Sequence, residues 1–360
     1  MTSYLLAGGG TAGHVNPMLA MADAIRSREP DAQIVCVGTA DGLEATLVPA
    51  RGYELVTIPR IPFPRLRGLV GSSKRFLQGW PKAVTRITDL IHDRNVDVVI
   101  GVGGYTAAPA YAAARKSGIP YVIHEANAKP GLANKWGARH TRFVGVTFAG
   151  TPLPHAVTVG TPLRKEIETL DIPTMRAQAR KHFGLELNRP VLVVTSGSQG
   201  ARSINTTIAS SAKDIVAAGY QVLHILGQNK PDVIPELPGY AVLDYCDRMD
   251  LALAAANAVV SRAGSATVSE LSALGIPAVY VPYPVGNGEQ KFNAAGVVNA
   301  GGGVMVTDAH FTPEWVRTTL IPLLRDEAAL ENMATAAAKV GMRDGTARMM
   351  NLIDAALSSA

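Results

Sequence analysis

The sequence has little cysteine, no long hydrophobic run and no leader-like N-terminus. Its two cysteines, Cys36 and Cys246, form neither a disulfide framework nor a metal-binding spacing. The longest uncharged stretches, residues 98–114 and 143–163, are interrupted by glycine and proline and do not resemble a membrane span. No basic residue precedes the short apolar run at the start of the chain, so a signal peptide is not indicated. These absences predict a cytoplasmic globular protein without a structural zinc.

Length and composition predict two domains. A chain of 360 residues is long enough for about two domains of ordinary size, and 47% hydrophobic against 18% charged residues is typical of a packed protein. Charge is unevenly spread, since residues 1–163 carry 17 Lys or Arg and 10 Asp or Glu, whereas residues 164–340 carry 15 and 17. The first half is therefore the one expected to meet an anionic partner.

The basic excess is concentrated between Glu54 and Asp89, where the chain has no acidic residue. Apolar residues are interleaved with the cations, which favours an anionic lipid surface over nucleic acid. The predicted membrane patch consists of Phe63, Leu66, Arg67, Leu69, Arg75, Lys82 and Arg86. An apolar stripe at helical spacing follows, formed by Trp80, Val84, Ile87 and Ile91, with Pro81 inside it. Packing on the core of the first domain explains this stripe most simply.

Strands and helices alternate along the whole chain, which predicts parallel sheets with helices on both faces. A helix that ends at glycine and is followed by Ile-Pro and a strand occurs once in each half, at residues 116–120 and 273–277. This recurrence predicts two related, doubly wound α/β domains joined near residues 159–164.

Three glycine-rich turns follow predicted strands, at residues 8–13, 101–105 and 196–201. Ligands bind at the carboxyl ends of strands in such sheets, so three turns in two domains predict a cleft between the domains. For each turn taken alone, a tight strand-to-helix connection is an equally good explanation. The G-x-G-x-x-G spacing of Gly8 to Gly13 also suggests NAD, but the second strand ends in Gly38-Thr39 rather than in a ribose-binding carboxylate. Asp41 lies close by, so NAD stays an alternative.

Several side chains near these turns are suited to chemistry. His14, in the first turn of a helix beside a phosphate-type loop, is a candidate general base, with Glu125 as the alternative. Helix capping or packing is the competing explanation for both residues. In the second half, N–H groups at residues 265–267 suit a diphosphate and Glu270 suits a ribose diol. Gln290 and Asn293 lie three residues apart on the next predicted helix and are candidates for hydrogen bonds to ligand hydroxyls. The competing explanation is that they lie on a solvated helix face.

Seven motifs occur in order along the chain, namely GGGTAGHVNP, GVGGY, HEAN followed by GLANKWGAR, VGTPLR, SGSQGARSIN, SRAGSATVSEL and GNGEQKFNA. Together they resemble the MurG family, the transferases that add N-acetylglucosamine to the lipid-linked muramyl-pentapeptide precursor of bacterial peptidoglycan. The resemblance covers nearly the whole chain. It implies the GT-B fold, with two Rossmann-like domains facing an interdomain cleft. Residues 1–163 would form the acceptor and membrane domain, residues 164–340 the UDP-N-acetylglucosamine domain, and residues 341–360 a helix crossing back to the first.

The resemblance also implies site residues. Donor contacts would come from Thr11, Ala12, Gly13, Asn127, Arg164, Ser198, Cys246, Ser265, Ala266, Thr267, Val268, Ser269, Glu270 and Gln290. The acceptor diphosphate would lie on Gly10, Gly103, Gly104 and Tyr105. Two departures matter: Ala126 stands where many members have Gln, and Cys246 stands where a bulkier aliphatic residue is frequent. Recognition of uracil at Cys246 would then use backbone groups.

The implied reaction is an inverting hexosyl transfer, without a cofactor or catalytic metal, at the cytoplasmic face of the plasma membrane. The muramyl 4-hydroxyl attacks the anomeric carbon of UDP-N-acetylglucosamine, and Arg164 neutralises the departing phosphate. Three alternatives remain. A UDP-N-acetylglucosamine 2-epimerase would share the donor site, a NAD-dependent oxidoreductase has only G-x-G-x-x-G in its favour, and a non-catalytic lipid-surface protein fits poorly with so many ligand loops.

Overall fold

Strands form where the sequence has short runs of β-branched and aliphatic residues, and helices follow the glycine-rich turns. The computed structural model describes residues 1–60, 69–197, 199–285 and 287–359, and of Ala12 and residues 69–77 it describes the backbone only. The chain divides into two units. The first contains residues 1–164 and 344–360, and the second contains residues 165–343.

The first unit alternates strands and helices from its first residues. Its elements are β1 (Ser3–Ala7), α1 (Ala12–Arg28), β2 (Gln33–Gly38), α2 (Glu44–Ala50), β3 (Glu54–Thr57), α3 (Leu69–Asp93), β4 (Val98–Gly101), α4 (Ala107–Ser117), β5 (Tyr121–Glu125), α5 (Leu132–Gly137), β6 (Val144–Val146) and β7 (Ala156–Thr158). The second unit repeats the plan with α6 (Lys165–Glu168), α7 (Ile172–His182), β8 (Val191–Thr195), α8 (Arg202–Ala217), β9 (Gln221–Ile225), β10 (Tyr240–Leu243), α9 (Met249–Ala255), β11 (Ala258–Ser261), α10 (Ser265–Leu274), β12 (Ala278–Tyr280), α11 (Glu289–Asn299) and β13 (Gly303–Met305). It ends in α12 (Pro313–Trp315), a π-helical turn (Val316–Leu320), α13 (Ile321–Arg325) and α14 (Glu327–Val340), after which α15 (Gly345–Leu357) belongs to the first unit.

Each unit has one parallel sheet. In the described residues, the first sheet has the order β3-β2-β1-β4-β5-β6-β7 and the second has the order β10-β9-β8-β11-β12-β13. The strand order reverses between β1 and β4 in the first unit and between β8 and β11 in the second. A doubly wound sheet binds its ligand at this switch point, outside the carboxyl ends of the strands. The two parallel-sheet α/β domains confirm the predicted fold class.

The core of the first unit lies on both faces of its sheet. On one face α3 and α4 cover the strands, and the predicted apolar stripe of α3 packs there, with Ile87 and Ile91 buried and Trp80 and Val84 partly buried against the same cluster. α1 and α15 cover the other face, where Ile353 is fully buried. The stripe of α3 is therefore core packing, as predicted, and the helix runs through Pro81 without a break.

One strand goes beyond the sequence prediction. Strand β7, Ala156–Thr158, was not predicted, because its three residues follow a proline-rich stretch and two of them are exposed at the edge of the sheet. Thr312 caps α12, accepting the N–H of Trp315 at 3.2 Å. Among the described residues, no helix combines the length and the apolar character that crossing a membrane requires.

Candidate active site

In the first unit, the turns after β1 and β4 meet at the switch point of the sheet. A Cβ on Gly104 would lie 2.8 Å from the carbonyl oxygen of Gly9, and the φ of +84° at Gly104 favours glycine independently. Gly8 is equally crowded, since a side chain there would overlap Val102. The two predicted glycine turns therefore form one backbone-lined surface.

His14 lies at this junction. Its Nδ1 is 3.2 Å from Oγ1 of Thr11, the N-cap residue of α1. Its Nε2 faces the second turn, where a Cβ on Gly103 would lie 3.2 Å away. In the tautomer whose Nδ1–H donates to Thr11, the lone pair of Nε2 is directed at the glycine turns. The ring is therefore oriented as a base beside N–H groups that suit an anion.

Glu125, the alternative base, is engaged in holding a loop. It is 2% exposed and accepts the N–H groups of Asn127 and Gly131, each at 2.9 Å. Asn134 donates a third hydrogen bond to it from Nδ2, at 3.0 Å. Gly131 is the N-cap residue of α5. The capping explanation therefore fits Glu125, and this geometry favours His14 as the group that takes a proton.

Asn134 connects Glu125 to the core and had no role in the sequence analysis. Tyr111, fully buried on α4, donates to Oδ1 of Asn134 at 2.7 Å. The amide nitrogen of Asn134 also donates to the carbonyl of His124, at 3.1 Å. An asparagine inside the GLANKWGAR motif is the only sequence signal for this arrangement.

His124 attaches the end of β5 to the segment that precedes Arg164. Its Nε2 is 3.0 Å from the carbonyl oxygen of Gly160, and Oγ1 of Thr147 is 3.0 Å from Oγ1 of Thr161. Burial lowers the pKa of His124 to about 4, so the ring is neutral near neutral pH. Arg164 is half-buried just beyond these contacts.

Tyr105 lies beside the same glycine turns, and the guanidinium of Arg60 stacks over its ring. The guanidinium carbon of Arg60 is 4.6 Å from the centre of the Tyr105 ring, and Arg60 also forms an ion pair with Asp41 at 3.5 Å. Residues 9, 10 and 106 line the small pocket that contains this group. The structure thus brings Gly10, Gly103, Gly104 and Tyr105 together around the glycine turns.

In the second unit, the turns after β8 and β11 lie at the corresponding switch point. α10 begins at Ser265 after Gly264, whose backbone is extended. Its first two turns contain the predicted donor residues of this helix, of which Ser265, Val268 and Ser269 are buried and Ala266, Thr267 and Glu270 are partly exposed. N–H groups at such a helix start favour phosphate.

Arg262 organises this loop and was not assigned a role by the sequence analysis. It forms a largely buried ion pair with Asp308 and donates to the carbonyl of Val281 at 3.1 Å. It also donates to Oγ of Ser203 at 3.1 Å, and Ser203 donates to Asp308 at 2.7 Å. Arg262 therefore links four segments of the second unit. Sequence patterns did not reveal this pairing because its partners are 59 and 46 residues away.

α11 supports the same loop from its far side. Asn293 is 1% exposed and donates to the carbonyl of Ala263 at 3.4 Å, so the solvated-face explanation does not apply to it. Gln290 accepts the N–H of Tyr283 at 2.9 Å, which fixes the orientation of its amide group.

A buried polar chain supports the turn after β8. Tyr240 donates to Nδ1 of His224 at 2.6 Å, and Nε2 of His224 donates to Asn205 at 3.0 Å. Asn205 donates in turn to the carbonyls of Leu226 and Asn229. Asn229 then donates from its backbone N–H to the carbonyl of Gln199 at 3.0 Å. Burial lowers the pKa of His224 to about 4, so this chain stays uncharged near neutral pH.

The remaining predicted site residues are found as follows. Thr11 is exposed, Gly13 and Asn127 are partly exposed, and Cys246 is buried in the loop after β10. Ser198 lies outside the described residues, as do Phe63, Leu66 and Arg67 of the membrane patch, and the side chains of Ala12, Leu69 and Arg75 are not described. Lys82 and Arg86 are exposed on α3 and line an open groove of about 730 Å³.

Comparison with known proteins agrees with this architecture. Family models for the N-terminal and C-terminal domains of glycosyltransferase family 28 match residues 4–146 and 191–349. The chain therefore belongs to glycosyltransferase family 28 and, as its motifs predict, to the MurG family within it.

Individual relatives match over their whole length. UDP-N-acetylglucosamine--N-acetylmuramyl-(pentapeptide) pyrophosphoryl-undecaprenol N-acetylglucosamine transferase of Clavibacter sepedonicus is 58% identical over 360 residues, covering 100% of this chain and 98% of its own. The transferase of the same name from Leifsonia xyli subsp. xyli is also 58% identical, over 100% of both chains. The crystal structure of Acinetobacter baumannii MurG has a TM-score of 0.76 at 24% identity, over 99% of this chain and 100% of that one, and so shares the fold.

Proposed function

We propose that this enzyme transfers N-acetylglucosamine from UDP-N-acetylglucosamine to the 4-hydroxyl of a muramyl-pentapeptide linked through diphosphate to undecaprenol. The observation that carries the proposal is the junction in the first unit, where the Nε2 of His14 faces two glycine turns. It combines a base with an anion-binding backbone, which an acceptor that carries both a hydroxyl and a diphosphate requires. The names of full-length relatives at 58% identity specify the same substrates, which supports the proposal.

The second unit takes the donor. The N–H groups at the start of α10 hold the diphosphate, and Glu270, one turn into that helix, accepts hydrogen bonds from the ribose diol. Gln290 reads sugar hydroxyls from α11, and backbone groups at Cys246 recognise uracil. Ser198 completes the donor set, together with residues 11–13, Asn127 and Arg164. Arg262 holds the loop in place but is itself committed to Asp308 and Ser203.

The reaction is a single displacement. His14 Nε2 removes the proton from the muramyl 4-hydroxyl as that oxygen attacks the anomeric carbon. The bond from the anomeric carbon to the phosphate oxygen breaks, and UDP leaves with the electron pair, so the configuration inverts. Helix N-termini and Arg164 stabilise the charge on the departing diphosphate.

The first unit also binds an anionic membrane surface at its cytoplasmic face. Lys82 and Arg86 support this proposal, because α3 buries its apolar stripe in the core and exposes these two cations on another face. Asp89 and Asp93 line the same groove and limit the local positive charge. Residues 61–77 would supply the apolar insertion and the further cations.

His14→Ala is expected to lower turnover about 10²–10⁴-fold, because a general base contributes about that factor. The affinity for UDP, measured by calorimetry, should be largely retained, since the proposed site for the donor diphosphate is the start of α10 in the second unit. His92→Ala, which removes an exposed histidine of the same unit, is the matched control. Near-normal turnover of His14→Ala would contradict the base assignment.

Glu270→Ala is expected to weaken UDP binding by about 1.5–3 kcal/mol, the contribution of a hydrogen bond to a charged group. Calorimetry with UDP measures this directly. Glu331→Ala, an exposed glutamate on α14 of the same unit, should bind UDP as the wild type does. Unchanged UDP affinity in Glu270→Ala would leave this residue as a helix-dipole carboxylate only.

Replacing Lys82 and Arg86 together with alanine should weaken binding to vesicles that contain anionic lipid about 30-fold, since each cation contributes about 1 kcal/mol. Co-sedimentation measures the partition coefficient. The control replaces two exposed cations of the second unit, Lys213 and Arg317, with alanine. If both double variants bind vesicles like the wild type, Lys82 and Arg86 lie on an ordinary solvated face of α3 and do not contribute to membrane binding.

A further inference from the structure

Glu44 is a buried carboxylate that neither the motifs nor the proposed chemistry uses. It is the first residue of α2, lies after the end of β2, and is 0% exposed. A carboxylate with no exposed surface is costly unless it is hydrogen-bonded, so its partners indicate why it is there.

The hydrogen-bond donors to Glu44 belong to the loops around the first glycine turn. Its Oε2 accepts the N–H of Gly10 at 2.7 Å. Its Oε1 accepts both the N–H and the hydroxyl of Thr39, each at 2.8 Å. Burial raises the pKa of Glu44, but the N–H groups of Gly10 and Thr39 outweigh it and hold the pKa below its usual value. The group is therefore an anion near neutral pH, and it ties the turn after β1 to the end of β2.

Three glycines make room for this carboxylate. A Cβ on Gly9, Gly38 or Gly42 would overlap the Glu44 side chain. None of these three has a positive φ, so backbone conformation does not require glycine there. Steric exclusion by Glu44 accounts for all three, which means that the surrounding chain is shaped around the carboxylate.

The contact with Gly10 connects Glu44 to the proposed base. Gly10 has a φ of +88° and directly precedes Thr11, the N-cap residue of α1 whose hydroxyl contacts the His14 ring. The same turn touches Gly104 through the carbonyl of Gly9. If the Gly10 N–H loses its acceptor, the turn is free to shift, and Thr11 and His14 shift with it.

We propose that Glu44 is a positioning residue of the transfer reaction, which holds the Gly8–Gly13 turn so that His14 meets the acceptor hydroxyl. This inference rests on the proposed function. It assigns to Glu44 no contact with substrate, and it makes the N–H of Gly10 a structural donor rather than a ligand for the acceptor diphosphate. Gly103, Gly104 and Tyr105 then remain for that diphosphate.

Glu44→Gln tests the proposal, because an amide can accept from Gly10 or from Thr39 but presents NH₂ to the other. Turnover is expected to fall about 10- to 100-fold, since a misplacement of about 1 Å costs on the order of 10²-fold. The affinity for UDP should fall much less than turnover, because only residues 11–13 of the proposed donor set lie on this turn and most of that set lies in the second unit. Glu54→Gln, which alters an exposed glutamate paired with Arg94 at the other end of the first sheet, is the matched control.

A second variant guards against a folding defect. Gly42→Ala keeps the glutamate at position 44, but the added methyl group overlaps its carboxylate and displaces it. This variant should lower turnover in the same way. Hydrogen exchange of residues 8–14 should speed up in both variants, with melting temperatures close to that of the wild type.

This hydrogen-exchange readout needs no acceptor, so it separates failure of this inference from failure of the proposed function. Turnover within twofold of wild type in both variants would overturn the proposal, as would parallel losses of turnover, UDP affinity and melting temperature.

Discussion

The structure of the first unit depends on the contact between two backbone turns that admit no side chain between them. Gly104 lies against the carbonyl of Gly9, with no space for a Cβ. This approach places the imidazole of His14 against Gly103 and leaves N–H groups, rather than side chains, as the lining of the junction. Parallel strands make it possible, because β1 and β4 are neighbours whose carboxyl ends meet at the switch point of the sheet. The shape of this region and its backbone lining follow from that one constraint.

The second unit reaches a similar arrangement by a different route. Its turns after β8 and β11 are held by polar side chains that are themselves buried, namely the Arg262–Asp308 pair and the Tyr240–His224–Asn205 chain. Buried polar groups of this kind stabilise a structure only when their partners are present, since each unpaired group costs about 1–3 kcal/mol. Here both systems have partners on several strands and helices. The turn after β11, the proposed donor loop, is therefore expected to be rigid before any ligand binds, and such rigidity would favour tight binding of a diphosphate.

The sequence predicted the fold and the regions of the site better than the contacts within it. The strand runs and the glycine turns predicted both sheets, because hydrophobic periodicity and glycine are local signals. Strand β7 was missed because a three-residue edge strand buries little and leaves no apolar pattern. The structural roles of Glu44, Asn134 and Arg262 could not be predicted, because each joins segments that only the fold brings together. Glu125 shows the limit most clearly: its motif was compatible with a base or with helix capping, and only the three N–H donors seen in the structure favour capping.

The central claim is that the first unit activates a hydroxyl of a lipid-linked acceptor for attack on a sugar that the second unit binds. The most direct measurement incubates the protein with UDP-N-acetylglucosamine labelled in the sugar and with muramyl-pentapeptide diphosphate-undecaprenol in vesicles. The account predicts that one label enters the lipid for each UDP released, joined to the muramyl 4-oxygen with inverted anomeric configuration. Release of UDP with the label recovered as a free 2-epimerised sugar, or no transfer to the lipid at all, would contradict it.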